Sequence, residues 1–436
     1  MLSNKKTILI SVSIVAISAG LYFRGTDLLK KLVGYNVPPL EESTEFQTSN
    51  PSLPYLKLPE GFKINIFAKN LKDPRVITFD SSGRMLVSET EGGRVVLFED
   101  KDKNGIAEAK KTLLSGLNKP HGLAFYGSGN TTYLYVAETQ QVARYTYDVK
   151  SGTVISIKGE NVTNLPSAGR HFTRTISFGP NFRETPLLTG KKGDTTLSQT
   201  KLYISVGSSC DVCVETTTWK RAAILESDPD GKIFTAEFAG GLRNSVFFTF
   251  HPKTKEIWAT EMGRDNLGDN LPPDEINIIK VAGPEDKFGA KRYGWPFCYG
   301  NRVRDKTFNP EKIERTDLSS DCTQTESPAI QIQAHSAPLG LAFISDKKWP
   351  SEWQNDLLVA YHGSWNRSEP VGYKIVRYNL DTNGNVLSQK PEDFISGWLG
   401  DDGKISGRPV DLKFGPEGAL FISDDSAGVI YKVTPK

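Results

Sequence analysis

The sequence predicts an all-β chain, a six-bladed antiparallel β-propeller preceded by one N-terminal hydrophobic helix. Three observations predict it. A strand–turn–strand unit recurs six times, and the strands inside each copy alternate apolar and polar residues as half-buried strands must. The composition of the 436 residues, with 39 Gly, 25 Pro and 10% aromatics, suits many short strands joined by tight turns better than helices.

The elements follow in chain order. Lys5 and Lys6 precede an uncharged apolar run from Ile8 to Phe23, and Arg24 closes it. That is the layout of a secretory signal or a short signal-anchor. No small-x-small cleavage site stands near the polar boundary, so residues 1–25 are read as an uncleaved anchor. Residues 26–56, rich in Pro, Ser, Thr and Glu, form a linker, and 57–436 form the propeller domain. This places the body outside the cytoplasm, in a periplasmic or equivalent space, held to the plasma membrane by its N-terminus.

Next comes GFKINIFAKNL (Gly61 to Leu71), a single strand before the first repeat. It is expected to complete the last blade and tie the ring shut. The repeats are VITFDSSGRMLVSETEGGRVVLF from Val76 and GLAFYGSGNTTYLYVAETQQVARYTY from Gly122. The third is TISFGPN, a long insert, then KLYISVGSS (Thr175 to Ser209). The fourth runs from Phe247 to Ile279, the fifth from Gly340 to Leu380, and the sixth from Asp411 to Val433. One such sheet cannot bury both faces alone; radial closure covers each face with a neighbour and leaves only short edges. First strands should line the channel. Second strands should end on one rim, at Ser88-Glu89, Glu138, Gly207-Ser208, Glu261 and Asp424-Asp425, where function on a rigid ring concentrates.

The charge balance excludes some partners. With 53 basic against 51 acidic side chains and a formal charge of +2, nothing calls for nucleic acid. The four cysteines, Cys210, Cys213, Cys298 and Cys322, suggest disulfides in an exported chain. Pairing 210–213 with 298–322 is one of three arrangements. Zinc is disfavoured because no second CxxC or His pair stands at ligand spacing.

There are five histidines. His171 follows the turn Ala168-Gly169-Arg170 just before a first strand, and His121 and His335 occupy the equivalent place in other copies. Imidazole is the side chain best suited to take a proton near neutral pH. His251, in a His-Pro-Lys turn, reads as structural. Arg243 and Asn244 precede the fourth copy, Arg408 precedes the sixth, and Arg367 follows His362-Gly363-Ser364-Trp365-Asn366. Guanidinium forks on one rim suit a small ligand carrying several carboxylates, although interblade ion pairing is the alternative for any one of them. Two stretches are calcium candidates. Asp100 to Gly105 resembles the start of an EF-hand loop, but Lys111 stands where its bidentate Glu belongs; it is read as a hairpin turn, with Glu108 as a substitute ligand if an ion binds. The oxygen-rich stretch Glu261 to Glu275 could hold a hard cation.

The run Glu261-Met262-Gly263-Arg264, then Asp274-Glu275-Ile276-Asn277, then Tyr293-Gly294-Trp295-Pro296 resembles the soluble glucose/sorbosone dehydrogenases that use pyrroloquinoline quinone (PQQ). So do Gly241-Leu242-Arg243-Asn244 and Gly407-Arg408-Pro409-Val410-Asp411. Ser208-Ser209-Cys210-Asp211-Val212-Cys213 resembles the sorbosone dehydrogenase branch. The likeness extends from about residue 55 onward. It implies a six-bladed propeller with PQQ chelating Ca²⁺ at the channel mouth. It implies His171 as general base, Arg243 and Asn244 on the quinone carbonyl, and Gly263 and Arg264 as carbonyl ligands of the metal. Arg408 would grip a cofactor carboxylate, and Arg367 is the candidate for a further carboxylate contact that a lysine makes in the family. The implied activity is hydride transfer from an aldose-type sugar or sugar aldehyde to the quinone, with a cytochrome or quinone as electron acceptor. Val410, Arg170 and Ser208 depart from the glucose-oxidising pattern, which argues against glucose itself; Asp211 is the candidate replacement for the carboxylate that buttresses the base. Two other readings of a propeller are a calcium-dependent lactonase and a non-enzymatic NHL-like binding scaffold. The segments 181–200 and 301–328 are expected to shape substrate choice.

Overall fold

The computed structural model describes residues 53–436 apart from 184–198, 217–219, 233–234, 285, 287–288, 312, 314 and 316–317. The expected anchor and almost all of the linker, and most of the 181–200 insert, lie outside the described residues.

Six antiparallel sheets follow one another along the chain. The first blade is Pro74–Phe79, Met85–Glu89, Arg94–Glu99 and Ala109–Ser115. The second is Leu123–Ser128, Thr131–Glu138, Gln141–Asp148 and Glu160–Asn164. The third is Ile176–Pro180, Thr200–Val206, Ala223–Ser227 and Ala236–Gly240, with Lys291–Arg292 added in parallel outside. Phe248–Phe250, Ile257–Glu261, Asp274–Ile279 and Ile330–Ile332 make the fourth. Pro338–Phe343, Leu357–Tyr361, Lys374–Tyr378 and Glu392–Ile395 make the fifth.

The sixth blade is Pro409–Phe414, Leu420–Asp424 and Val429–Pro435, completed by Phe62–Ala68 from the other end of the chain. That strand pairs antiparallel with the last one, Phe62 opposite Pro435 and Ile66 opposite Tyr431, as the lone strand before the first repeat foretold. Backbone hydrogen bonds between the first and last strands of the domain join its ends and leave no open blade.

Val76, Leu123, Phe247, Leu339 and Val410, on first strands or at their entries, share one buried apolar cluster. Buried hydroxyls on the second strands join neighbouring blades. Ser205 Oγ accepts from Thr175 N at 3.1 Å and donates to Val246 O of the next blade at 3.1 Å. Thr260 Oγ1 donates to Leu339 O, and Ser423 Oγ accepts from Asp411 N and donates to Arg75 O across the closure.

The acids that end the second strands have a different role from the open rim that their spacing suggested. Glu89, Glu138, Glu261 and Asp424 are all buried. Each accepts a backbone N–H from the segment leading into its own blade's first strand: Lys72, Asn118, Asn244 and Arg408 respectively. A carboxyl oxygen there satisfies donors that the irregular entry would otherwise leave orphaned. These acids fix the loops of the rim, and those loops carry the polar groups.

Candidate functional site

The entries to the first strands and the exits of the second strands share one rim, and the predicted residues sit on it. His171 lies between the turn at Gly169 and the strand from Ile176. Its Nδ1 is 2.9 Å from Ser208 O and 3.0 Å from Ser208 Oγ. A carbonyl can only accept, so the proton belongs on Nδ1 and the lone pair on Nε2. Burial, then the Arg243 guanidinium, push the imidazole pKa down to about 3, so the ring is neutral at physiological pH.

Two glycines make this placement fit. A Cβ on Gly207 would lie 2.5 Å from Asn244 Oδ1 and 2.6 Å from His171 Cβ, so both side chains occupy the space that glycine leaves. Gly169 takes φ +103° and has Ser209 where its own side chain would be, while Arg170 N donates to Ser209 O at 2.8 Å.

Arg243 is buried, and its guanidinium is gripped from several sides. Nε donates to Asp211 O at 3.0 Å, Nη1 to Met262 O at 3.3 Å, and Nη2 to Asp211 Oδ1 at 2.8 Å and Asp265 Oδ2 at 3.2 Å. Four of its five N–H groups are used, which leaves one on Nη1. Asn244 N is held by Glu261 Oε1 at 2.9 Å, and its Nδ2 makes only a long contact, 3.6 Å, to Met262 Sδ. Burial raises the Glu261 pKa to about 8.

Gly263 N donates to Asp274 Oδ1 at 2.9 Å, while Asp274 Oδ2 accepts Ala337 N at 2.9 Å, so one buried carboxyl pins the 263 peptide to the fifth blade. The main-chain oxygens of Gly263 and Arg264 accept no hydrogen bond among the described residues. The Arg264 side chain turns to Asp305, at 2.8 Å, inside the 301–328 segment.

Arg367 and Arg408 stand in adjoining networks. Arg367 Nη1 donates to Asp269 O and Ala334 O, and Nε to Glu369 O. Arg408 donates to His362 O and Gly363 O and lies over the Tyr373 ring at 5.4 Å. His362 Nε2 is 3.0 Å from both oxygens of Asp425, which also takes Arg75 at 2.5 Å. Against the opposing effect of burial, His362 and Arg75 hold the Asp425 carboxyl well below the usual range. Burial and Arg408 bring His362 down to about 4, so the pair is a neutral imidazole beside a carboxylate.

Three equivalent histidines do not converge. His335 Nε2 is fixed on Gly268 O at 2.9 Å. His121 is wholly buried against Phe247, with its Nε2 unpartnered among the described residues. With His121 sealed in the interior and His335 held on Gly268 O, His171 is the ring that stands beside Arg243 and Asn244. His251 packs against Trp258 and Phe343 and accepts Lys253 N and Thr254 N, a structural role as read.

Asp211 does not buttress His171; Ser208 does, and Asp211 clamps Arg243. Asp265 escaped the sequence reading. Its carboxylate takes Arg170 at 2.8 Å, Arg243 at 3.2 Å and Asn366 at 3.3 Å. Its signal was its place in the oxygen-rich 261–275 stretch; its partners lie 95, 22 and 101 residues away. Trp365, 60% exposed, stands on the same rim with Arg170 6.0 Å from its ring. Both predicted disulfides are present, Cys210–Cys213 and Cys298–Cys322. The loop at Asp100 is the hairpin turn between two first-blade strands, with Gly105 at φ +90° and its N–H on Asp100 Oδ2. Carboxylate oxygens of Asp100, Asp102 and Glu108 lie within 4.8 Å of one another.

Residues 56–436 match the TrAA12-like family model. An uncharacterised protein of Borreliella burgdorferi is 31% identical over 382 residues, 87% of this chain and 90% of its own length. The Pyrroloquinoline quinone-dependent sugar dehydrogenase of Hypocrea jecorina is 25% identical over 399 residues, 85% of this chain and 87% of its own. The solved calcium structure of the Trichoderma reesei carbohydrate-active enzyme of family AA12 superposes with a TM-score of 0.70 at 24% identity, covering 89% of this chain and all of that one, a likeness of fold. Matched from residue 56 to its last residue, this chain belongs to the TrAA12-like family, and its relatives include PQQ-dependent sugar dehydrogenases.

Proposed function

We propose that the protein is a PQQ- and calcium-dependent sugar dehydrogenase that oxidises an aldose-type sugar or sugar aldehyde. One observation carries the reading: a neutral histidine, its Nδ1 proton committed to Ser208, sits against Asn244 and beside the buried Arg243 guanidinium.

The residues of the rim suit the cofactor. PQQ is a planar quinone with three carboxylates, and the rim supplies guanidinium groups from Arg170, Arg243, Arg367 and Arg408. The Asn366 Oδ1 atom is buried without a partner among the described residues, beside the exposed Trp365. Gly263 and Arg264 offer main-chain oxygens with no other donor, the hard ligands that Ca²⁺ takes. When bound, PQQ supplies an electrophilic quinone carbon for hydride, and Ca²⁺ polarises the quinone oxygen.

The protein's part is then proton transfer, orientation and charge. His171 Nε2 takes the proton from the oxygen of the sugar hydroxyl or aldehyde hydrate as hydride leaves the carbon that bears it. Ser208 holds the tautomer throughout. The remaining Nη1–H of Arg243 and the amide of Asn244 offer donors for negative charge developing on oxygen, and their burial makes that charge stabilisation stronger than in water. Arg367 and Arg408 would hold carboxylates at the edge of the site. Departure of hydride from a sugar requires a later acceptor, which we assign to a cytochrome or a quinone. Two disulfides fit an oxidising, extracytoplasmic location. The hydrophobic segment 1–25 would hold the enzyme at the plasma membrane near that acceptor.

Apo protein given PQQ and Ca²⁺ should gain quinone absorbance and reduce an artificial dye when an aldose panel is added. His171→Gln should keep PQQ binding and lose at least a hundredfold in turnover; unchanged turnover rejects the role of His171. Lactone hydrolysis with metal alone would instead mark a hydrolase, and neither response a binding scaffold.

A further inference from the structure

Both halves of the proposed site hang on one short loop. Ser208, at the exit of the strand Thr200–Val206, holds His171 Nδ1, and its own Oγ donates to Cys210 O at 2.6 Å. Ser208 N donates to Arg243 O at 2.7 Å. Three residues on, Asp211 O accepts Arg243 Nε at 3.0 Å and Trp295 Nε1 at 3.1 Å, while Asp211 Oδ1 accepts Arg243 Nη2 and Asp265 N, each at 2.8 Å. The general-base histidine and the buried arginine are thus held by residues three apart in sequence.

Among the described residues, no strand pairing holds this loop. What closes it is the bridge between Cys210 and Cys213, three residues apart, with Glu215 accepting Ser209 N at 2.5 Å and Ser209 Oγ at 3.0 Å. A ring this small restricts the unfolded chain less than the Cys298–Cys322 ring of sequence separation 24, so its effect is mainly local. The loop is only partly buried, within reach of solvent.

We propose that the bridge-closed loop Cys210–Cys213 is a positioning element of the site, with Asp211 the residue that aims the Arg243 guanidinium. Opening the bridge misplaces Arg243 and His171 together and leaves the propeller folded. The inference rests on the proposed dehydrogenase reading for its catalytic consequence, and on apo geometry alone for its mechanical one. Opening by a dithiol is a balanced exchange: the reagent's two thiols become its cyclic disulfide, and Cys210 and Cys213 each gain one hydrogen.

The test compares wild type, Asp211→Asn and the double variant Cys210→Ser/Cys213→Ser. Ring resonances of His171 in apo protein, assigned through their loss in His171→Gln, are titrated by NMR. PQQ affinity is read separately from tryptophan fluorescence. The double variant should move the His171 titration up by at least one pH unit, weaken PQQ at least tenfold, and keep the wild-type far-UV spectrum. Asp211→Asn should weaken PQQ similarly with a smaller histidine shift, and Asp211→Glu should recover part of the affinity. A double variant with wild-type titration and affinity overturns the proposal. If wild type itself neither binds PQQ nor reduces dye, the dehydrogenase reading falls, and the apo histidine titration alone decides the mechanical claim. Should the double variant fail to fold, brief dithiothreitol treatment of folded wild type gives the same titration.

Discussion

The depressed pKa of His171 follows from burial and from the Arg243 charge, and it has a kinetic consequence. A base that stays neutral well below the ordinary histidine value of about 6.5 remains competent in mild acid. The acid limb of kcat/KM should therefore fall below pH 5; a limb near 6.5 would mean that a different group takes the proton. Gly207 makes a second test. Its missing side chain is the space shared by Asn244 and His171. Gly207→Ala should displace both and lower kcat/KM by about tenfold or more, since ångström shifts at reacting groups have effects of that order. Circular dichroism should remain that of the native protein.

Strand by strand, closure decides whether a propeller holds. The strand Phe62–Ala68 pairs the start of the domain with its last blade, and Phe62 anchors it. Its ring stacks on Trp353 at 5.3 Å, meets Trp349 at a tilt at 5.0 Å, and meets Phe394 edge-on at 5.4 Å. Truncating a buried phenylalanine removes its transfer energy and leaves a cavity. Phe62→Ala should destabilise by about 3–5 kcal/mol, read as a lower urea midpoint. A change below about 1 kcal/mol would show that backbone pairing alone secures the ring.

At the scale of the whole molecule, buried acids contribute to the response to pH. Burial raises Asp411 to about 6 and Asp424 to about 7. In the unfolded chain such groups ionise near 4, so between about pH 4 and 7 the folded state holds more protons. Stability from these groups is present at low pH and is lost as pH rises through that window. Asp424→Asn keeps an oxygen for the Arg408 and Ala427 N–H groups and cannot ionise. The variant should lose less stability than wild type between pH 5 and 8, followed by urea midpoints at each pH. An equal loss would assign the slope elsewhere.

The local pattern of the chain determined the six repeats, the closing strand at Gly61 to Leu71, and the rim on which polar residues would gather. Period-two alternation and turn residues are local properties, and a sheet hydrophobic on both faces has few ways to be covered. His171, Arg243 and Asn244 could be placed at the channel mouth for the same reason, since each stands at a fixed offset from a repeat, whereas Gly263 and Arg264 were singled out only by the family resemblance. The tertiary structure decided which groups meet. Asp265 joins Arg170, Arg243 and Asn366, Asp211 serves Arg243 and not His171, and the strand-end acids clamp backbone instead of facing the ligand. Those partners are far apart in the chain or depend on small backbone bends, and hydrogen bonding is directional over a few tenths of an ångström. Sequence periodicity carries no information at that scale.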